Sequence, residues 1–204
     1  MVDELRIYTL RAGGMARYLE LAEKVAVPIR GDRHGTLLGF WAGEVGAANS
    51  VFNLWRHESV ASRQAVRATL QDIPAWREQY LAGVRPLMQR QIVRLMDVVL
   101  PLTPPPDVAN LYECRIIRAV VGRTAELADA VATTSAGDGS TTVGVWSTFA
   151  GPINEVVQIV AYPDARARFA RSWHGGDSPL ARWSALVEEV ETSLMLAAPH
   201  SPLR

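Results

Sequence analysis

Hydrophobic and polar positions in this chain alternate in short runs, and the runs change period at regular places. Residues 4–10 (Glu-Leu-Arg-Ile-Tyr-Thr-Leu) alternate as a strand does, and Arg11-Ala12-Gly13-Gly14 supplies a turn. From Met15 the spacing becomes helical: Met15, Tyr18, Leu19, Ala22, Val25 and Ile29 fall on one face, with Glu20, Glu23 and Lys24 outside. Pro28 is expected to end or bend that helix near Val27. A charged link from Arg30 to Gly35 leads to a second strand at 36–42. A turn at 43–48 and a third strand at 49–56 follow. Ser59 is a candidate N-cap for the next helix. Asp72-Ile73-Pro74 restarts a helix that places Trp76, Tyr80 and Val84 on one face, and residues 91–96 read as a fourth strand. Strand, helix, strand, strand, helix, strand is the ferredoxin-like βαββαβ unit.

The unit then repeats. Gly39-Phe40-Trp41 returns as Gly144-Val145-Trp146, an offset of 105 residues. Asn49 returns as Asn154 and Asp72-Ile73-Pro74 as Asp177-Ser178-Pro179 at the same offset, while Glu4-Leu5-Arg6-Ile7 returns as Glu113-Cys114-Arg115-Ile116 at 109. A fixed spacing of this kind marks one module of about 100 residues used twice. The expected division is a first repeat at 1–98, a proline-rich connector at 99–109 and a second, degenerate repeat at 110–198. The prolines at 101 and 104–106 exclude both helix and central strand from the connector. In the second copy, strands are expected at 111–118, 141–148, 155–161 and 192–197, with helices at 123–133, 164–173 and 179–190. Ser178 caps the last helix, with Pro179 at its first turn. Residues 199–204 are expected to fray.

Strand parity separates two faces. Leu5, Ile7, Leu38, Phe40, Phe52 and Leu54, with Cys114, Ile116, Val143, Val145, Val157 and Ile159, form an apolar face expected to pack on the helices. Arg6, Tyr8, Trp41, Asn53 and Trp55, with Arg115, Ile117, Trp146, Gln158 and Val160, form a face that mixes aromatic rings with hydrogen-bonding groups. Stacking two such faces would bury both tryptophans and leave the polar groups either lining a small-molecule cleft or satisfying one another across the interface.

Composition narrows the chemistry. The chain has 204 residues, 49% of them hydrophobic, and a net charge of zero, so nothing in its charge favours nucleic acid or an anionic membrane surface. Lys24 is the single lysine, which excludes a Walker-type phosphate loop. Cys114 is the single cysteine; it permits no internal disulfide and no thiolate metal cluster, and its apolar setting points to an inert buried thiol. Four histidines without paired spacing give no zinc ligand set. No apolar run approaches a membrane span and Met-Val-Asp-Glu does not open a leader, so the expectation is cytoplasmic.

Leu5-Arg6-Ile7-Tyr8-Thr9-Leu10-Arg11-Ala12-Gly13, Pro28-Ile29-Arg30 with His34-Gly35, Leu38-Gly39-Phe40-Trp41 with Glu44-Val45-Gly46, and Asn53-Leu54-Trp55-Arg56 resemble the NIPSNAP family. Arg63 and the segment 72–76 extend the likeness. The second copy is similar at its Gly-x-Trp, Asn and Asp-x-Pro landmarks but has no counterparts of Arg30 and His34. The resemblance implies an α+β fold of the dimeric α/β-barrel superfamily, with two ferredoxin-like repeats stacked sheet to sheet within one chain. It implies no particular reaction, because relatives across that superfamily include cofactor-free monooxygenases, cyclases, isomerases and haem proteins.

The ionisable candidates concentrate in the first copy. His34 or His57 is the candidate general acid or base, with Arg6, Asn53 and Arg30 polarising a carbonyl or stabilising an enolate. Tyr8, Trp41, Trp55, Arg115, Trp146 and Gln158 are the candidate contacts to a flat hydrophobic substrate. The competing reading makes His34 a turn residue and His57 a strand-end residue. The second copy offers His174. Two functions follow. One is a small-molecule enzyme without a tightly bound cofactor: a cyclase, isomerase or monooxygenase of secondary or catabolic metabolism acting on a hydrophobic or polycyclic metabolite in the barrel cleft. The other is a non-catalytic binding or interaction module. Haem is the alternative cofactor, since one histidine beside tryptophans would suffice. Helix arginines such as Arg63, Arg67 and Arg77 read as solvated faces, and free strand edges would allow a homo-oligomer.

Overall fold

The structure, a computed structural model, describes residues 1–106, 108, 111–135, 137, 139–170 and 178–204. The first module runs β1 (Val2–Leu10), α1 (Met15–Leu21), a π-helical turn (Ala22–Ala26), α2 (Val27–Arg30), a 3-10 turn (Gly31–His34), β2 (Thr36–Val45) and β3 (Ser50–His57). It continues through α3 (Val60–Asp72), a second π-helical turn (Trp76–Leu81), α4 (Ala82–Val84), a second 3-10 turn (Arg85–Leu87) and β4 (Met88–Leu100). The second runs β5 (Leu111–Ala119), α5 (Thr124–Thr133), β6 (Thr141–Ala150), β7 (Glu155–Tyr162), α6 (Ala165–Ala170), α7 (Pro179–Trp183) and β8 (Val187–Ala197). The caps sit where the side chains dictate: Ser59 Oγ accepts from Ser62 N at 3.0 Å and Ser178 Oγ from Ala181 N at 3.2 Å.

Each module orders its strands as a ferredoxin-like sheet, and the two sheets join at β2–β8 and β4–β6 into one closed barrel, β1-β3-β2-β8-β5-β7-β6-β4. Every neighbouring pair is antiparallel. Closure removes the free edges on which a strand-to-strand homo-oligomer would have rested. None of the described helices is long and apolar enough to cross a membrane.

The expected faces are inverted. Leu5, Ile7, Phe52, Leu54, Cys114, Ile116, Val143, Val157 and Ile159 fill the barrel, where they meet one another across the two sheets, and no helical residue joins them. Tyr8 packs outward with Tyr18, Tyr80 and Trp76 of the first module's helices, and Ile117 outward with Leu127 and Trp183 of the second's. Trp41 and Trp146 lie inside as expected, but without Arg6 or Arg115. The cause is local. β2 shifts register between Leu37 and Gly39 and β6 between Thr142 and Gly144, so each bulge moves the tryptophan to the opposite parity from that of the strand's start. Leu38 and Trp41 thus both face the interior, and Phe40 faces the helices.

Further expectations change, and the helix expected at 179–190 ends at Trp183, with β8 beginning at Val187. The first helix passes Pro28 and continues to Arg30, because the preceding π-helical turn resets its hydrogen bonding and leaves Pro28 in the first turn of α2, where no amide donor is needed. β4 extends beyond 91–96 in both directions, since β1 and β6 give it partners along its length. The tail is held rather than frayed: Ser201 Oγ accepts the Phe40 amide at 2.9 Å, and Leu203 is buried in the barrel core. Of the helix expected at 164–173, α6 covers Ala165–Ala170, and residues 171–173 lie outside the described residues.

Candidate functional site

Side chains of both sheets fill the barrel among the described residues. The cavity lies on the other side of the first sheet, between β1, β3 and β4 and their helices, with a volume of about 260 Å³. Alternation along β1 and β3 sends Arg6, Tyr8, Asn53 and Trp55 into it, Arg6 pairing with Asn53 across the ladder. The two π-helical turns close the opposite wall with Ala22 and Ala26 on one and Trp76 and Tyr80 on the other. Widened turns of this kind are frequent at functional sites. Tyr18, Arg30, Arg67, Leu70 and Gln71 complete the walls, and Arg85 and Gln91 are exposed at the rim.

The polar groups are ordered by short contacts. Arg6 Nε donates to the Tyr8 hydroxyl. Burial disfavours charge on Arg6, but Tyr8 and Glu4 outweigh it and hold the guanidinium above its usual value. The Trp55 indole donates to Asn53 Oδ1 at 2.8 Å, and the Arg30 guanidinium lies 3.2 Å from the centroid of the Trp55 ring. Arg30 also donates to the His34 carbonyl at 2.6 Å, while its buried Nε has no partner. Burial, with repulsion from Arg6 second, pulls Arg30 down to about 9. The same two causes lower Arg67. The Tyr18 and Tyr80 hydroxyls lie 3.3 Å apart, and burial pushes both up, Tyr18 well above the ordinary phenol range.

The candidate residues therefore divide. Arg6, Tyr8, Arg30, Asn53 and Trp55 come together around the cavity. His34 and His57 do not line it: His34 Nδ1 lies 3.1 Å from the Arg30 carbonyl, and His57 Nε2 lies 3.4 Å from Glu4 Oε2 behind the site. Trp41 and Trp146 belong to the barrel core. Arg115 and Gln158 sit on the outer face of the second sheet, 2.9 Å apart. His174 lies outside the described residues. Tyr18, Tyr80, Trp76 and Arg67 were absent from the expected site, although Trp76 and Tyr80 already shared a helical face with Val84. Among the described residues no cluster of His, Cys, Asp and Glu could hold a metal ion.

Behind the cavity lies a carboxylate that strand reading also missed. Glu4 is fully buried and accepts from Arg63 at 2.5 Å, with Arg6 at 3.4 Å. Glu113 repeats the arrangement, accepting from Arg115 at 2.6 Å, Tyr162 at 3.0 Å and Arg168 at 2.6 Å. Arg63 and Arg168, and likewise His57 and Tyr162, stand 105 residues apart, so the repeat offset carried this signal. Arg63 is accordingly not a solvated helix face, because a buried carboxylate draws it in, and Arg67 lies half-buried in the cavity wall.

A model of the NIPSNAP family matches residues 3–99 and 112–202. The chain belongs to the NIPSNAP family. It is 36% identical to human NipSnap homolog 3A over 89 residues, a match spanning 43% of this chain and 35% of that protein. It is 28% identical to mouse NipSnap homolog 3B over 216 residues, spanning 98% of this chain and 85% of that protein. An anthrone oxidase-like protein of known structure superimposes with a TM-score of 0.69 at 11% identity, covering 98% of this chain and 92% of its own. That identity establishes a shared barrel fold and nothing finer. This NIPSNAP chain thus holds two family modules in one closed barrel, with an open cavity in the first.

Proposed function

We propose that the first NIPSNAP repeat binds a flat hydrophobic small molecule between its sheet and its helices. One observation carries the reading: a cavity of about 260 Å³ walled by Tyr8, Trp55, Tyr18, Trp76 and Tyr80 beside an otherwise solid barrel. Its size suits one or two fused rings rather than a larger polycyclic ligand. Arg6 and Arg30 are positioned to polarise a carbonyl on the bound molecule or to stabilise an enolate formed from it, and the Tyr8 hydroxyl, held by Arg6, is the group available to exchange a proton there. This is the cyclase- or isomerase-type reading, working without a tightly bound cofactor.

The placement of His34 and His57 away from the cavity favours a second reading, binding without turnover. A thermal-shift screen of one- and two-ring aromatics on the whole chain tests the common ground. Hits should disappear in Ala26→Trp, which fills the cavity, and in Gln91→Trp, which blocks its exposed rim without touching the core. Hits that survive in both variants would sink the proposal. Conversion of a bound carbonyl compound, slowed by Tyr8→Phe, separates catalysis from binding alone.

A further inference from the structure

We infer that the occupant of this cavity is a flat aromatic carboxylate, its rings between Trp55 and Tyr80 and its carboxylate toward Arg30 and Arg67; this inference rests on the small-molecule reading above. Four guanidiniums line the cavity, and no carboxylate does. Glu4 is the buried acid nearest to them, and it is already engaged by Arg63 at 2.5 Å, by Arg6 at 3.4 Å and by His57 at 3.4 Å. Arg30 is 6% exposed, has a buried Nε without a partner, and makes its direct contacts with the Trp55 ring and one backbone carbonyl. Arg67, half-buried in the wall, makes no hydrogen bond or ion pair among the described residues. A buried cation with an unpartnered Nε, a second half-buried one beside it, and the repulsion of Arg6 on both together favour an anion in the cavity.

The second repeat shows what the same sheet does when no anion is required. There Glu113 takes Arg115 and Arg168 as Glu4 takes Arg6 and Arg63, but the sequence has no counterpart of Arg30 and has Ser172 at the position of Arg67. The aromatic walls are gone as well, with Ile117 at the position of Tyr8 and Val160 at that of Trp55, both fully buried in apolar clusters. Excess cation and aromatic wall are thus lost together, as expected if one ligand used both.

The head group is a carboxylate rather than a phosphate because the C-terminal turn of α3, at Leu70 and Gln71, lines the cavity and its carbonyls disfavour a dianion.

The experiment is calorimetric titration of the full chain with matched pairs: benzoate against benzamide, and 2-naphthoate against 2-naphthamide. The acid of at least one pair should bind about tenfold more tightly than its amide, and Arg67→Gln should erase most of that preference while leaving the amide's affinity in place. Equal affinity for acid and amide would overturn the carboxylate assignment and leave the small-molecule reading standing. Failure of every acid and amide to bind at millimolar concentration would remove both. Should Arg30→Gln fold poorly, Arg67→Gln still decides the question, because no hydrogen bond or ion pair among the described residues depends on the half-buried Arg67 side chain.

Discussion

The guanidinium of Arg30 lies 3.2 Å from the centre of the Trp55 ring, stacked on it inside the cavity wall. This contact holds a charge where burial opposes it, and Arg30 is pulled down to about 9. A base whose folded value is depressed carries a penalty at neutral pH, because the unfolded chain binds the proton more readily. The penalty is present in full below about pH 9 and is relieved as pH rises from there toward the ordinary guanidinium value. Arg30→Met keeps the apolar packing on Trp55 and removes the charge. It should therefore be at least as stable as the parent to urea at pH 7, with that advantage beginning to shrink above about pH 9, while losing affinity for an anionic ligand. A large destabilisation at pH 7 would show that the charge is matched in the folded chain.

Glu4 has the opposite sign. Burial works against its carboxylate, yet hydrogen bonds and charges from His57, Arg6 and Arg63 outweigh it and hold the group well below its ordinary 4.5. A carboxylate depressed in this way stabilises the fold above the unfolded value, and the contribution is lost as pH falls below about 4.5. Glu4→Gln should cost about 3 kcal/mol at pH 7, by leaving Arg63 and Arg6 without their partner, and much less at pH 3. Parallel stability curves for parent and variant between pH 3 and pH 7 would contradict the network.

The element order and the double use of one module were readable because periodicity and the 105-residue offset are local properties of the chain. The side each face occupies was not. Alternation states which residues share a face, but both faces of this sheet are covered, one by the other sheet and one by helices, so hydrophobicity could not assign them. The bulge before Trp41 compounded the error by moving one aromatic across the sheet. Arg6, Tyr8, Asn53 and Trp55 were nonetheless grouped correctly with one another, because β1 and β3 run without a bulge along their shared ladder. Arg67 and Tyr18 could not have been added, since helix orientation over the sheet depends on two π-helical turns that no residue pattern announces.

The recurring Gly-x-Trp has a steric origin. A β-carbon at Gly39 would lie 2.0 Å from Trp41 Cη2, and one at Gly144 2.5 Å from Trp146 Cη2, so each indole folds back over its glycine. Both tryptophans are fully buried and have no room to retreat. Gly39→Ala should cost about 2 kcal/mol by overpacking, and Gly144→Ala a similar amount. The clash disappears if the ring does, so Gly39→Ala should be nearly free in a Trp41→Leu background. Additive losses in that double mutant, measured by urea denaturation, would rule out the clash.

The C-terminal tail finishes the barrel. The β2–β8 ladder begins at the Trp41–Ala197 pair, and the next residues of each chain extend it: the Ala198 amide donates to the Phe40 carbonyl at 2.9 Å, and Ser201 Oγ takes the Phe40 amide at 2.9 Å. Leu203 then enters the core beside residues of both repeats, and the His200 ring packs at 4.4 Å against Phe40. Phe40 is itself a wall of the cavity, so the tail of the second repeat braces the site of the first. Removing residues 199–204 leaves the Phe40 amide unpaired and the core without Leu203, at a cost of about 3 kcal/mol. Leu203→Ala alone should account for most of that loss, and Ser201→Ala for about 1 kcal/mol. Hydrogen exchange at the Phe40 amide is the sharper measure: it should accelerate in Ser201→Ala while amides of β5 and β7 keep their protection. Unchanged exchange at Phe40 would mean that the tail does not close the strand.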